Sequence, residues 1–282
     1  MVLSSKEGCR VREVECRSVL NKSGLADYAV NCYAGCEHGC VYCYARFATR
    51  FSYPGEQWGS FVDVKVNAPM VLAREVKRRR VGRVFLSSVC DGWQPREASY
   101  GLTRRCLEIL LHYRYPVSIL TKSMLAGRDL DLLSSSKDNV EFGVTVTTFD
   151  EGLRQLIEPM ASPSTERMTL LEEARSSGIK TYAFLGPVLP HLSDTAANLD
   201  SLLKVVKDVG VDYFYVDQLN RRFGVWQSLK NMLQNYAPEL IDVYRKILFD
   251  EAARREYSEQ LASSVNILAR RWGLDGRMKL CF

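Results

Sequence analysis

The chain has 282 residues, 46% of them hydrophobic and 25% charged, with a net charge of +5. This is the profile of a globular protein long enough to bury a full core, and the mild positive balance does not by itself call for nucleic acid. No apolar run approaches the length of a membrane span, and Met1 to Glu7 lack the apolar core of a signal peptide, so a cytoplasmic protein is expected. In that compartment nine cysteines read as metal or redox chemistry rather than a disulfide framework. Only three histidines occur (His38, His112 and His191), which argues against a histidine-based hydrolytic site. Walker-type glycine loops, H-E-x-x-H pairs and G-x-S-x-G elbows are absent.

In chain order, residues 1–26 read as a polar lead-in with Val11, Val14 and Val19 as its apolar contacts. Tyr28-Ala29-Val30 predicts a short strand running into a cysteine-rich loop, with a helix from Val41 to Phe51 behind it. Pro and two Gly make 52–60 a loop. Phe61 to Val66 alternates as a half-buried strand does, and Pro69 suits the first turn of a helix reaching about Arg80. Strands are then predicted at Val84-Phe85-Leu86, Val117 to Leu120, Val140 to Thr147, Ile179 to Leu185 and Val211 to Val216. Helical spacing links them: Leu102, Cys106, Ile109, Leu110 and Tyr113 in one segment, residues 127–136 in the next. A further helix starts at Ser162-Pro163 and ends at Gly178, and Leu199, Leu202, Leu203, Val206 and Val209 mark another. Such alternation implies parallel strands with right-handed crossovers. About six βα units result, with the strand at Phe61 as an extra, fewer than the eight of a closed barrel. Beyond Phe223 the chain is expected to be helical, with the stripe Tyr257, Leu261, Val265, Leu268 and Trp272 packing on the barrel. The expected organisation is a lead-in (1–26), one core (27–223) and a helical extension (224–282).

Four of the nine cysteines fall in twelve residues, Cys32 to Cys43, and Cys36, Cys40 and Cys43 have C-x3-C-x2-C spacing. Three thiolates on one tight loop suit three corners of an iron–sulfur cube, the fourth iron being left without a protein ligand. The alternative is a structural zinc knuckle with Cys32 or His38 as fourth ligand, but no second ligand pair follows at knuckle spacing. Cys32 otherwise reads as a buried bystander. Arg74, Lys77, Arg78, Arg79, Arg80 and Arg83 crowd one stretch, either a phosphate-contacting surface or an ordinary solvated helix face.

With Tyr42 just before its last cysteine, the loop resembles the signature of the radical S-adenosylmethionine (radical SAM) enzymes. The wider run Asn31 to Arg46 resembles the spore photoproduct lyase-like branch of that superfamily. The resemblance implies an α/β fold, an open partial (β/α)6 TIM-like barrel with a helical C-terminal extension. It implies a [4Fe–4S] cluster on Cys36, Cys40 and Cys43, with S-adenosylmethionine chelating the open iron and Tyr42 near its adenine. An electron from a flavodoxin- or ferredoxin-type reductant would then release a 5′-deoxyadenosyl radical that abstracts hydrogen from substrate. In parallel βα folds working residues gather at strand C-termini, and there Ser88, Lys122, Ser123, Thr145 and Thr147 match by position as S-adenosylmethionine contacts. Asp91 to Glu97 resembles a D-P-Y-Q-P-x-E segment, with Gly92 and Trp93 departing from it. Cys90 stands near a strand end where the lyase has a hydrogen-donating cysteine; its alternative is ordinary packing. The implied substrate is a pyrimidine photolesion in DNA. Another nucleic-acid, peptide or small-molecule substrate, or a non-catalytic zinc or iron–sulfur binding module, remains open.

Overall fold

The computed structural model describes residues 8–282; the first seven residues of the expected lead-in lie outside them. The chain opens with β1 (Arg10–Val14), β2 (Leu20–Lys22), β3 (Tyr28–Val30) and β4 (Tyr33–Ala34). A single-turn α1 (Arg46–Thr49), β5 (Phe61–Lys65), α2 (Ala68–Glu75) and β6 (Val84–Leu86) follow. Next come α3 (Glu97–Tyr100), α4 (Leu102–His112), β7 (Val117–Thr121), α5 (Leu130–Ser135) and β8 (Val140–Val146). Then come α6 (Glu151–Ile157), α7 (Ser164–Ser176), β9 (Lys180–Val188), α8 (Ala196–Val209) and β10 (Tyr213–Gln218). The chain ends with α9 (Val225–Tyr236), α10 (Ile241–Phe249), α11 (Glu251–Arg271) and β11 (Met278–Leu280).

The main sheet has eight strands in the order β11-β10-β9-β8-β7-β6-β3-β2. Every neighbouring pair from β3 to β11 is parallel, and only β2 runs antiparallel, to β3. β3 and β6 to β10 are the six strands expected from sequence, joined through helices in chain order. The sheet keeps two free edges, so the barrel is partial and open. The tail is not wholly helical: β11 adds a seventh parallel strand beside β10, with Phe214 opposite Met278 and Val216 opposite Leu280. Met278-Lys279-Leu280 contains no β-branched or aromatic residue to announce a strand.

A second, three-stranded sheet pairs β5 with β1 in parallel and with β4 antiparallel. The stretch read as a polar lead-in therefore contributes β1 and β2. All five β1 residues are charged or only half-buried, which hid the strand from an alternation test. The helix expected over Val41–Phe51 contracts to α1. Before it the chain makes successive three-residue turns, with Gly39 N donating to Cys36 O (3.3 Å) and Cys43 N to Cys40 O (3.2 Å).

The core lies between the main sheet and its helices. On α4, Leu102, Cys106, Leu107, Leu110 and Leu111 are buried and form one stripe, while Arg105 and Glu108 point outward. Each such leucine contributes roughly 1.5–3 kcal/mol by leaving water. α8 begins at Thr195, whose Oγ1 accepts from Asn198 N, and stops at Gly210 in the left-handed region (φ +71°). Leu261 and Val265 of α11 are buried in the same core, with Tyr257, Leu268 and Trp272 packed against it. Among the described residues no helix is long and apolar enough to cross a membrane.

Candidate active site

The cysteine loop leaves the C-terminal end of β3, and its curvature is set by two glycines. Gly35 (φ +87°) and Gly39 (φ +64°) occupy the left-handed region that side chains disfavour, and a Cβ on Gly35 would lie 2.3 Å from Phe61 O. The loop is clamped from outside by the segment after β6. Gln94 Oε1 accepts from Glu37 N (2.9 Å) and Gln94 Nε2 donates to Gly35 O (3.3 Å). The Glu37 carboxylate takes Arg96 N (2.9 Å) and Arg96 Nε (3.0 Å), and Tyr33 donates to the buried Glu97 carboxylate. Asp91 joins three elements, accepting from Thr121 Oγ1 (2.9 Å), Lys122 N (2.8 Å) and Trp93 N (2.9 Å), with His38 Nδ1 at 3.5 Å. In the D-x-x-Q-P-x-E pattern the acidic and amide residues thus hold the loop in place, a role that the spacing alone did not disclose.

Cys36 and Cys40 are buried and Cys43 is half-buried. Cys36 and Cys43 pack with Ala45, Trp58 and Phe61, whereas Cys40 sits in the apolar cluster of Leu153, Ile157 and Leu189. Burial pushes all three thiols up, Cys40 to about 12. Cys32 turns away into the main core, where its thiol lies 3.5 Å from Cys106 Sγ. His38 is buried and held neutral, since desolvation, with the Lys122 and Arg167 charges, pushes it down to about 4 against the pull of Asp91. Its Nε2 has no hydrogen-bond partner among the described residues. Nowhere among the described residues do three His, Cys, Asp or Glu side chains surround a point as a single metal ion requires. A cube asks for something else, one thiolate on each of three separate irons. Three thiols on one apolar loop beside an orphaned imidazole nitrogen fit that group.

The strand-end candidates divide into three kinds. Ser88 Oγ accepts from Asn31 Nδ2 (3.1 Å), and Asn31 Oδ1 receives Val89 N (2.9 Å) and the Cys90 thiol (3.7 Å). Cys90 packs against the same small cluster as Cys36 and Cys43. Behind the loop, Tyr42 donates to Glu158, and Arg167 closes a fully buried ion pair on the same carboxylate at 2.5 Å. Burial alone raises the Glu158 carboxyl, but Arg167 and Lys122 outweigh it and hold it below its ordinary value. Thr147 Oγ1 donates to Gly186 O (3.0 Å), and Thr145 offers its carbonyl to Arg167 Nη1 (2.8 Å). Lys122 stands over the Tyr42 ring at 5.8 Å, with no hydrogen-bond or ion-pair partner for its ammonium among the described residues. Burial works to lower it, yet the charges of Cys40, Glu158 and Asp91 keep it raised. Ser123 is set apart: its Oγ accepts from Leu125 N and caps the following turn. Asn31, Gln94 and Arg167 were not singled out from sequence. An arginine inside α7 carries no sequence mark of burial, and only the fold brings it to Glu158.

A parallel α/β sheet with three thiols on one loop and an ammonium and hydroxyls at its strand ends is a site of the kind that can hold a metal cofactor. Residues 30–203 match the family model described as the radical SAM superfamily, and the chain belongs to that superfamily. It is a radical SAM enzyme, and its cofactors are a [4Fe–4S] cluster and S-adenosylmethionine, with an electron donor required. Among proteins it resembles, an uncharacterized protein of Methanocaldococcus jannaschii is 32% identical over 241 residues, 85% of this chain and 86% of that one. An uncharacterized protein of Mycobacterium tuberculosis is 32% identical over 252 residues, 86% of this chain and 74% of that one. Among solved structures, a spore photoproduct lyase mutant with bound AdoMet and dinucleoside spore photoproduct is similar at a TM-score of 0.68. The match has 14% identity and covers 96% of this chain and 81% of that one, which shows a shared fold.

Proposed function

We propose that the enzyme acts on a pyrimidine photolesion in nucleic acid by photoproduct lyase-like chemistry, with Cys36, Cys40 and Cys43 holding the cluster. When bound, the cluster and S-adenosylmethionine supply a 5′-deoxyadenosyl radical that abstracts hydrogen. Lys122 is the counter-charge for the carboxylate of S-adenosylmethionine, since among the described residues its ammonium has no hydrogen-bond or ion-pair partner and stands over the Tyr42 ring. Tyr42, Ser88, Thr145 and Thr147 join it as S-adenosylmethionine contacts, Tyr42 by its place before the last cysteine and its hydrogen bond to Glu158, the others by their place at strand ends. Ser123 shapes the turn beneath them through its cap and joins this set by position. Cys90, with its thiol on Asn31 Oδ1, donates a hydrogen atom to the product carbon radical, its S–H bond breaking to leave a thiyl radical. A flavodoxin- or ferredoxin-type protein supplies the electron.

The observation that carries the reading is the half-buried Cys90 thiol, on the segment after β6, packed against the cluster that contains Cys36. The likeness to a lyase holding a dinucleoside photoproduct supports the choice of substrate. The test is anaerobic reconstitution with iron, sulfide, reductant and S-adenosylmethionine, followed by irradiated DNA. The expected outcome is 5′-deoxyadenosine together with thymine released from the lesion, and an altered product distribution in Cys90→Ala. Formation of 5′-deoxyadenosine with no lesion turnover overturns the substrate. Unchanged products in Cys90→Ala remove that residue from the reaction.

A further inference from the structure

The rim of the barrel mouth carries a surface that the cofactor chemistry leaves unused. α1 leaves the cysteine loop and sets Phe47, Arg50 and Phe51 beside the turn that follows β10. Gly224 lies close enough to Arg46 that a Cβ there would meet its side chain at 3.4 Å. Phe51 is 83% and Phe223 64% exposed. The Arg50 guanidinium lies 4.5 Å from the Phe51 ring centre and 5.9 Å from that of Phe223. Arg222 lies 4.9 Å over Phe47, which stacks on Tyr44 with planes 18° apart. Tyr44 in turn donates to Ser88 O at 2.6 Å, so the patch reaches the site itself. Arg221 next door is paired with Glu251, whereas Arg50 and Arg222 have no carboxylate partner among the described residues.

Two large rings left in water at one spot, with the Arg50 guanidinium beside both and Arg222 over neighbouring Phe47, offer flat faces for bases and charge for phosphates. A duplex keeps its base faces stacked on one another, so this chemistry suits a strand whose bases are free. The basic stretch Arg74 to Arg83 is elsewhere: it precedes β6, and Arg83 pairs with Glu141 near the start of β8. It therefore lies at the strand N-termini, opposite the mouth. We propose that Tyr44, Phe47, Arg50, Phe51, Arg222 and Phe223 form a docking platform for a single-stranded stretch of nucleic acid, delivering an unstacked base to the mouth. This rests on the nucleic-acid reading of the substrate.

The test is fluorescence anisotropy of the reconstituted enzyme with an unirradiated, labelled oligodeoxythymidylate of about twelve nucleotides, alone or annealed to its complement. The single strand is expected to bind more tightly than the duplex. Phe51→Ala with Phe223→Ala should weaken it about tenfold, the scale of losing stacking on one base. Arg50→Gln with Arg222→Gln should flatten the log–log salt dependence by about 1.4, for two phosphate contacts on a single strand. Lys77→Gln with Arg78→Gln, at the far end, should leave binding unchanged, and thermal melting verifies that each variant is folded. Wild-type binding by the rim variants, equal affinity for duplex, or equal competition by polyglutamate overturns the platform. Intact oligonucleotide binding without lesion turnover instead overturns the substrate reading and leaves the platform standing.

Discussion

Asp217, at the end of β10, is half-buried, and burial pushes its carboxyl up to about 6, with the nearby Arg254 charge offsetting only part of the shift. The raised value means that the folded state favours the protonated acid. Its stability contribution is complete below the ordinary carboxylate range and is lost as pH rises through about 6. Asp217→Asn should therefore stabilise the protein by about 2 kcal/mol at pH 8, allowing for solvent screening, and by little at pH 4. Urea unfolding at the two pH values reads the difference; an equal effect at both rules the argument out. Glu158 shows the opposite balance. It is more deeply buried than Asp217, yet Arg167 and Lys122 keep it ionised. What separates the two carboxylates is the presence of a cation in contact, and nothing in the residues flanking either one in the chain signals it.

At the level of elements, the cysteine loop is a piece of irregular backbone held by its neighbours rather than by its own hydrogen-bond ladder. Gln94 is fully buried and makes two of those contacts. Gln94→Ala leaves the Glu37 N–H and Gly35 carbonyl without that partner inside the protein, at a cost of roughly 1–3 kcal/mol for each group that stays unsatisfied. The expected outcome is less iron bound per chain after anaerobic reconstitution, with the far-ultraviolet circular dichroism preserved. Full iron loading in that variant would show that the loop holds its shape without the clamp. The loop's chemistry was legible from Cys36, Cys40 and Cys43 because ligand spacing is local. Its shape was not, since the helix read over Val41–Phe51 obeys a periodicity that the turns at Gly39 and Cys43 interrupt. The polar strand ends were likewise foreseen as a set. Ser123 caps a turn through Leu125, two residues on, but the contacts of Lys122 with Tyr42 and of Thr145 with Arg167 depend on neighbours distant in the chain.

For the whole molecule, the open barrel has to manage the two edges that a closed one lacks. β2 guards one side as a short antiparallel strand, and β11 covers β10 on the other, with Lys279 lying 4.1 Å over the Tyr213 ring. Removing residues 276–282 bares the backbone of β10 from Phe214 to Val216, a template for pairing between chains. Such a truncated chain should self-associate and melt earlier, measured by light scattering after size exclusion and by thermal unfolding. A monodisperse product with unchanged Tm would mean that the edge needs no cover.

The sequence by itself determined the six parallel βα units, the cysteine spacing and the end of the sheet where polar residues collect. Each of these is written in periodicities or spacings of a few residues, which local physics imposes directly. Tertiary structure alone decided that Cys32 faces Cys106 while Cys90 joins Cys36 and Cys43, and that Glu158 meets Arg167. It also decided that the conspicuous basic stretch lies at the N-terminal ends of the strands while Arg50 and Arg222 sit beside the turn after β10. Those outcomes depend on which strand ends and helix faces meet across the sheet, and no short stretch of chain encodes such a meeting.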